Sequence, residues 1–399
     1  MVEVISVSNF PENKIYVLLD KKYRKELIES AVNTLNLNNY FELSLWINKN
    51  SKSKFNGGDI KYWIEGQRLD KRTGKVHPKF MPLWLVLKLI RLCSFNLSQL
   101  DVKVLSYRSG GKGLIITSPI LPIKITPELD SIVIHLFGDG AAGDFTPSYT
   151  QKNKEGVDNF IKKLENCFGK FEQSRYFTQG KHQIKFPKSI TDILSEYYSI
   201  SSYHTFKSKI PNLILNHPRS CKLACIISFI IDEGCIRDVI TLYSSNLSLL
   251  GGIRNLVLDC GYGCSKIKQY PGRIYYSFNL SNMDFERIES DTEFLSKEFP
   301  TCGFSFKRKE FDFILQRKNV KNPKNKEITK QLILELLQKQ ILSAREISQK
   351  LGYAYCTIIH TLENLFEEKK IKRSIKEGKT YKWSINNEGM DVTGATQVR

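Results

Sequence analysis

The stretch IHLFGDGAAGD, residues 134–144, runs an apolar segment straight into an aspartate set between two glycines. A second stretch, IISFIIDEGCI at residues 226–236, ends its apolar segment the same way, in Glu233-Gly234. Each apolar run is too continuous for a helix with one wet face, so each reads as a helix buried on most sides. The glycine that follows is a natural terminator, because it reaches backbone conformations that other residues avoid. One acidic residue beside a glycine reads as a turn cap. Two of them, each behind a similar apolar run, call for a shared explanation.

The sequence behind each stretch repeats as well. Val157, Phe160, Leu164 and Cys167 correspond to Leu250, Ile253, Val257 and Cys260, each pair offset by 93 positions. Phe186, Ser189 and Asp192 recur as Phe278, Ser281 and Asp284 at an offset of 92, and FKSK (206–209) returns as FKRK (306–309). Ordered matches at nearly one offset argue for a duplicated unit. Each copy is expected to run helix, two strands, helix, two strands, helix, with middle helices over 157–168 and 247–260 and strands around HQIKF and RIYYSFNL.

Residues 121–316 resemble the LAGLIDADG homing endonucleases, including the endonuclease domains of inteins, in carrying two helices that each end in an acidic residue and a glycine. LPIKITPELD (121–130) looks like the lead-in to the first motif helix. The resemblance implies an α+β fold of two pseudo-symmetric αββαββα repeats, spanning 121–215 and 216–318, whose sheets form a saddle over DNA. It also implies that Asp139 and Glu233 hold Mg²⁺ or Mn²⁺, hard ions that prefer oxygen ligands and activate water for phosphodiester hydrolysis. A lysine late in each repeat, Lys207 or Lys209 and Lys307 or Lys309, would neutralise charge developing at the phosphate. The family favours a small residue midway along each motif helix. Ser228 complies, whereas the first copy has Ile134 and then His135, which reads as a core or DNA-facing residue rather than a base.

Bulk properties agree with a polyanionic partner. The 399 residues are 41% apolar and 25% charged, with a formal charge of +19 and an isoelectric point near 9.4. Neutralising phosphates with Lys and Arg releases counterions, so double-stranded DNA is the expected partner. No apolar run reaches the roughly 18 residues of a membrane span, and no basic segment followed by an apolar one opens the chain. The expected location is inside the cell, in cytoplasm or nucleoid. With both repeats in one chain, a monomer is expected. The nine cysteines suit a reducing compartment. Cys221 with Cys225, and Cys260 with Cys264, could be drawn as a zinc site, but the first pair falls on a buried helix where thiols serve as small core residues.

The C-terminal sequence reads as a winged helix over 326–386, followed by a flexible tail at 387–399. ITKQLILELLQKQ (328–340) is amphipathic, Ser343 with Glu346 forms a capping box, Gly352 ends that helix, and two strands flank Glu377-Gly378. Its third helix would enter a major groove with Tyr353, Tyr355, Thr357 and His360 leading, while Lys376, Lys379 and Lys382 on the wing meet phosphate. Tyrosines on such a helix also serve as core. Residues 1–120 form a mixed region that faintly resembles a helix-turn-helix, with a helix after Pro82 and a basic loop of Arg68, Lys71, Arg72, Lys75 and Lys79 facing phosphate. SGGKG (109–113) reads as a turn, lacking the strand-to-helix setting of a phosphate loop.

The expected activity is site-specific, metal-dependent cleavage of double-stranded DNA. Two alternatives stand beside it: a non-cleaving DNA-binding transcriptional regulator on the same fold, and an intron RNA maturase. An intein is disfavoured, since no splicing cysteine or terminal His-Asn is present.

Overall fold

The computed structural model describes residues 3–386 apart from 52–53, 71, 111–112, 143–145, 205, 270–271, 317–325 and 378–379. The chain forms two compact units, residues 1–234 with 241–306, and residues 235–240 with 307–399.

In the first unit the two motif helices occupy Pro127–Phe137 and Arg219–Glu233. Thr126 caps the first, accepting from the Leu129 amide, and Pro127 fills the first helical position, where no amide hydrogen is needed. Pro218 precedes the second helix. Every residue of the first motif helix is buried, as are Leu223 through Ile231 of the second, and the two pack side by side. Burying a large aliphatic or aromatic side chain is worth about 1.5–3 kcal/mol, so this pair anchors the core.

The duplication is explicit in the sheets. The first repeat places Gly140–Ala141, Ser148–Gln151, Ser174–Thr178 and Lys181–Lys185 in a four-stranded sheet with the spatial order first, second, fourth, third. The second repeat does the same with Gly234–Ile236, Ile240–Ser244, Lys268–Gln269 and Tyr276–Asn279. Registers match too: Tyr149 lies opposite Ile184, and Leu242 opposite Phe278. The middle helices, Lys154–Phe168 and Leu247–Asp259, begin on Asn153 and Asn246, whose side chains each accept a first-turn amide. Both helices fall where the sequence periodicity places them. Tyr149 stacks on Phe160 at 4.2 Å between ring centroids, joining sheet to helix.

The N-terminal region departs from the helix-turn-helix expectation. Its helix Gly57–Glu65 and the expected helix after Pro82, Leu83–Leu92, are joined by a β-hairpin of Gln67–Leu69 against Val76–Pro78 rather than by a turn. Asp70 shapes that hairpin by accepting from the Arg72 amide, while the Lys75 carbonyl accepts from the Asp70 amide. The region is organised by a five-stranded sheet in the spatial order Gly169–Phe171, Ile116–Pro119, Val104–Ser109, Ile15–Leu19, Met81–Pro82. Because Gly169–Phe171 comes from the first repeat, a boundary at residue 120 cuts through a sheet. Val104–Ser109 and Ile116–Pro119 pair antiparallel, and Gly111 and Lys112 of SGGKG lie outside the described residues.

The second unit contains helices Lys326–Lys339, Ala344–Leu351 and Tyr355–Glu367, then antiparallel strands Ile371–Glu377 and Thr380–Ile385. The short strand Leu342–Ser343 completes a three-stranded sheet with Thr380–Ile385 in the middle. Ser343 and Glu346 form the capping box, and Gly352 ends the middle helix at φ +66°. Ile333, Ile347, Ile358, Leu362, Leu365 and Trp383 form its core. The tail at 387–399 and most of the charged segment 321–327 lie outside the described residues.

Candidate functional site

The far ends of the motif helices converge. A methyl group placed on Gly138 would lie 2.8 Å from the Asp232 Cβ, so the backbone leaving the first helix touches the last turn of the second. Gly140 and Gly234 occupy equivalent positions. A Cβ on Gly140 would meet the Leu136 carbonyl at 2.7 Å, and one on Gly234 would meet that of Ile230 at 2.5 Å. Both turns therefore need glycine, and the residue before each glycine is acidic. Asp139 and Glu233, both half-buried, thus emerge at the same end of the helix pair.

Asp139 is held by its own repeat. Gln151 Nε2 donates to its Oδ2 at 2.7 Å, and the Thr150 amide donates to its carbonyl at 3.1 Å. Gln151 Oε1 accepts from the Lys152 amide, which fixes the orientation of the Gln151 amide group, and the Lys152 side chain is exposed beside it. In the second repeat the residues two and one before the capping asparagine are Ser244 and Ser245, where the first has Gln151 and Lys152. The candidate ligands at this end are carboxylate oxygens, which suit a hard divalent cation better than zinc.

Beneath the carboxylates lies a polar chain absent from the sequence reading. Asp232, its side chain fully buried, accepts from Tyr149 Oη at 2.7 Å and pairs with His135 Nδ1 at 2.9 Å. His135 Nε2 faces Lys163 Nζ at 2.9 Å, and Lys163 also donates to Ser228 Oγ at 3.2 Å. Burial, and then the Lys163 charge, hold the imidazole well below its usual range. Neutral His135 therefore donates through Nδ1 and accepts through Nε2. Burial lowers Lys163, while burial and the Asp232 charge raise Tyr149. His135 is thus a core residue. The helices approach closely despite Ile134 and His135, because Gly138 supplies the space at the crossing end and Ser228 accepts from Lys163. Phe160, Lys163 and Cys167 share one face of their helix, so a lysine on an apolar stripe was the available signal for this chain of contacts.

Lys207 and Lys209 are exposed and line a cavity of about 320 Å³ with Tyr198, Ile210 and Pro211. Lys307 closes a short turn at Ser305–Lys307, and Lys309 is exposed in the helix Arg308–Gln316 that follows. Arg68 and Arg72 are exposed on the N-terminal hairpin, Arg68 standing over the Tyr62 ring at 5.7 Å. Lys79 instead pairs with Asp59 at 2.8 Å, and Lys71 lies outside the described residues.

In the second unit Tyr353 and Tyr355 pack against the hydrophobic core, while Thr357 is half-buried and His360 exposed. The Tyr355 and Cys356 amides, at the start of the third helix, donate to the Asp238 carboxylate at 3.1 and 3.3 Å. Lys382 is half-buried on the central strand, and its charge helps hold the Glu346 carboxyl below the usual range, after the Ser343 backbone and side-chain hydrogen bonds. Lys379 and the Lys376 side chain lie outside the described residues.

Among the described residues no helix is long and apolar enough to cross a membrane. Comparisons with protein families and with curated proteins find no match. Solved structures similar to this chain include the homing endonuclease I-DmoI in complex with DNA and Mn, at 14% identity and a TM-score of 0.33 over 41% of this chain and 96% of that one. Full-length DUF199/WhiA from Thermatoga maritima is similar at 11% identity and a TM-score of 0.32, over 61% of this chain and 90% of that one.

Proposed function

We propose that this protein is a site-specific, double-strand DNA endonuclease of the LAGLIDADG kind that uses Mg²⁺ or Mn²⁺. The observation that carries the reading is the delivery of two carboxylates, Asp139 and Glu233, to one end of a paired helix core by two copies of the same structural unit. Cutting both strands of a duplex needs two reaction centres, and a duplicated fold supplies two related by its repeat. Divalent cations bound there would supply activated water and charge neutralisation at the leaving oxygen. Asp139 and Glu233 would hold them, with Gln151 fixing the Asp139 carboxylate so that one oxygen is oriented for the cation. Lys207 or Lys209, and Lys307 or Lys309, are proposed to approach the scissile phosphates, with exposed Lys152, next to Gln151 in the sequence, as a further candidate cation. The +19 charge supports a duplex partner. Arg68 and Arg72 on the hairpin, with Lys71 next to them in the sequence, would serve as backbone contacts.

The second unit supports an accessory DNA-binding role. Three helices followed by two antiparallel strands, with a short strand between the first two helices, are the element order that a winged helix calls for. Tyr355 and Thr357 on its third helix, Lys376 and Lys382 on its strands, and Lys379 between those strands in the sequence are the proposed contacts. The same unit is what favours the second reading, a regulator that binds without cutting.

Incubation of the full chain with a randomised duplex library and Mg²⁺ separates the two. Sequence-dependent double-strand breaks that disappear in Asp139→Asn and Glu233→Gln, with duplex binding retained, support the nuclease. Tight binding with no breaks in either Mg²⁺ or Mn²⁺ overturns it in favour of the regulator.

A further inference from the structure

The other end of the helix pair carries a second cluster of chemically competent side chains. Asp130, in the first turn of the first motif helix, His217, just before the second, and Cys221, in its first turn, are 0%, 8% and 4% exposed. One donor atom from each lies within 4.8 Å of the others. His217 Nδ1 meets Asp130 Oδ2 at 2.6 Å, and Tyr198 Oη donates to the other carboxylate oxygen at 2.5 Å. His217 Nε2 is buried with no hydrogen-bond partner among the described residues. Pro218 stiffens the step between His217 and the helix that carries Cys221.

We propose that Asp130, His217 and Cys221 form a buried transition-metal site, zinc by its donors, that fastens together the leading turns of the two motif helices. One thiolate, one imidazole nitrogen and one carboxylate oxygen form a mixed set that zinc accepts and magnesium does not favour. Tyr198 is the outer partner that orients the carboxylate, a role that metal-binding carboxylates commonly need filled. The fourth position falls to water. Metal entry displaces the Cys221 thiol proton and the proton shared by His217 and Asp130, with no change of oxidation state. The site is separate from Asp139: seven residues of helix at about 1.5 Å each put roughly 10 Å between Asp130 and the helix end at Phe137, and Asp139 lies beyond that end. Among the described residues the side chains grouped with the Cys221 thiol are this carboxylate and imidazole, not Cys260 or Cys264.

The test uses the full chain, stripped with chelator and titrated with Co²⁺. One equivalent should bind with a near-ultraviolet thiolate-to-cobalt charge-transfer band and visible bands of four-coordinate cobalt, both erased by added Zn²⁺. Cys221→Ser should lose the charge-transfer band while Cys264→Ser keeps it. His217→Gln preserves a hydrogen-bonding amide beside Asp130 but cannot ligate through nitrogen, so it should bind more than about tenfold more weakly while remaining folded by circular dichroism. Zinc should raise the thermal midpoint of the parent chain and leave that of His217→Gln unchanged. A parent chain that gives no charge-transfer band, a band that survives in Cys221→Ser, or unweakened binding by His217→Gln overturns the proposal.

Discussion

At the scale of single residues, the acidic pair was legible because it was duplicated, and its supports were not because only folding brings them together. Asp139 and Glu233 each follow an apolar run and precede a glycine, a pattern visible twice in the sequence. Gln151, Asp232 and Lys163 gain their meaning only from contacts that folding creates, such as Lys163 with Ser228, 65 residues away, or His135 with Asp232, 97 residues away. Two predictions belong here. Gln151→Ala removes the donor that orients Asp139, so cleavage should slow by about 10- to 100-fold and need more Mg²⁺; a metal titration of the cleavage rate that overlays the parent curve would refute the assignment. His135 sets a pH dependence of stability. Its folded imidazole, faced by Lys163, Asp232 and Tyr149, is held well below the usual range, whereas in the unfolded chain it takes a proton near pH 6.5. Between those two values the unfolded state binds more protons, so the stabilisation is present above about pH 6.5 and is lost as pH falls towards the depressed folded value. Thermal midpoints measured from pH 7.5 down to 5 should decline less steeply in His135→Gln, whose amide can fill both hydrogen bonds without titrating.

At the scale of elements, what could be read was whatever a few neighbouring residues decide. The capping box of Ser343 and Glu346, the stop at Gly352 and the middle helices opening on Asn153 and Asn246 all depend on local chemistry. The N-terminal sheet is the opposite case, since Ile15–Leu19 pairs with Val104–Ser109 across most of that region. No short window contains both partners. The hairpin read as a helix-turn-helix loop failed for a different reason: all six residues of Gln67–Leu69 and Val76–Pro78 are exposed, so no alternation of apolar and polar residues marks them as strands. The motif helices offer the element-scale prediction. Their close approach at Gly138 leaves no room for a methyl group, and the Asp232 it would strike is pinned by His135 and Tyr149. Gly138→Ala should destabilise the first unit by about 1–3 kcal/mol, the usual penalty for overpacking a tight core. Urea unfolding measures it directly, and an unchanged midpoint would show that the helix ends are looser than the geometry requires.

At the scale of the whole molecule, charge and fold make separate claims, and only one of them concerns chemistry. A charge of +19 supports attraction to a polyanion whether or not that polyanion is cut, and the paired carboxylates bear on cutting alone. Salt dependence isolates the first claim. Each phosphate neutralised contributes about −0.9 to the slope of log affinity against log salt, so a footprint using six or more contacts should give a slope steeper than about −5. Arg68 and Arg72 stand exposed on a hairpin whose strands bury none of their residues, an arrangement with no evident role in the core. If both meet backbone phosphates, the double change Arg68→Ala with Arg72→Ala should flatten the slope by about two and weaken binding to target and non-target duplexes alike, because phosphate contacts carry no base information. Binding isotherms across a salt series, performed with Ca²⁺ in place of Mg²⁺ to suppress turnover, provide the measurement. An unchanged slope would take the hairpin out of the interface. Loss confined to one target sequence would instead assign these arginines to base readout, where a bidentate contact with guanine is worth about 1–3 kcal/mol of discrimination.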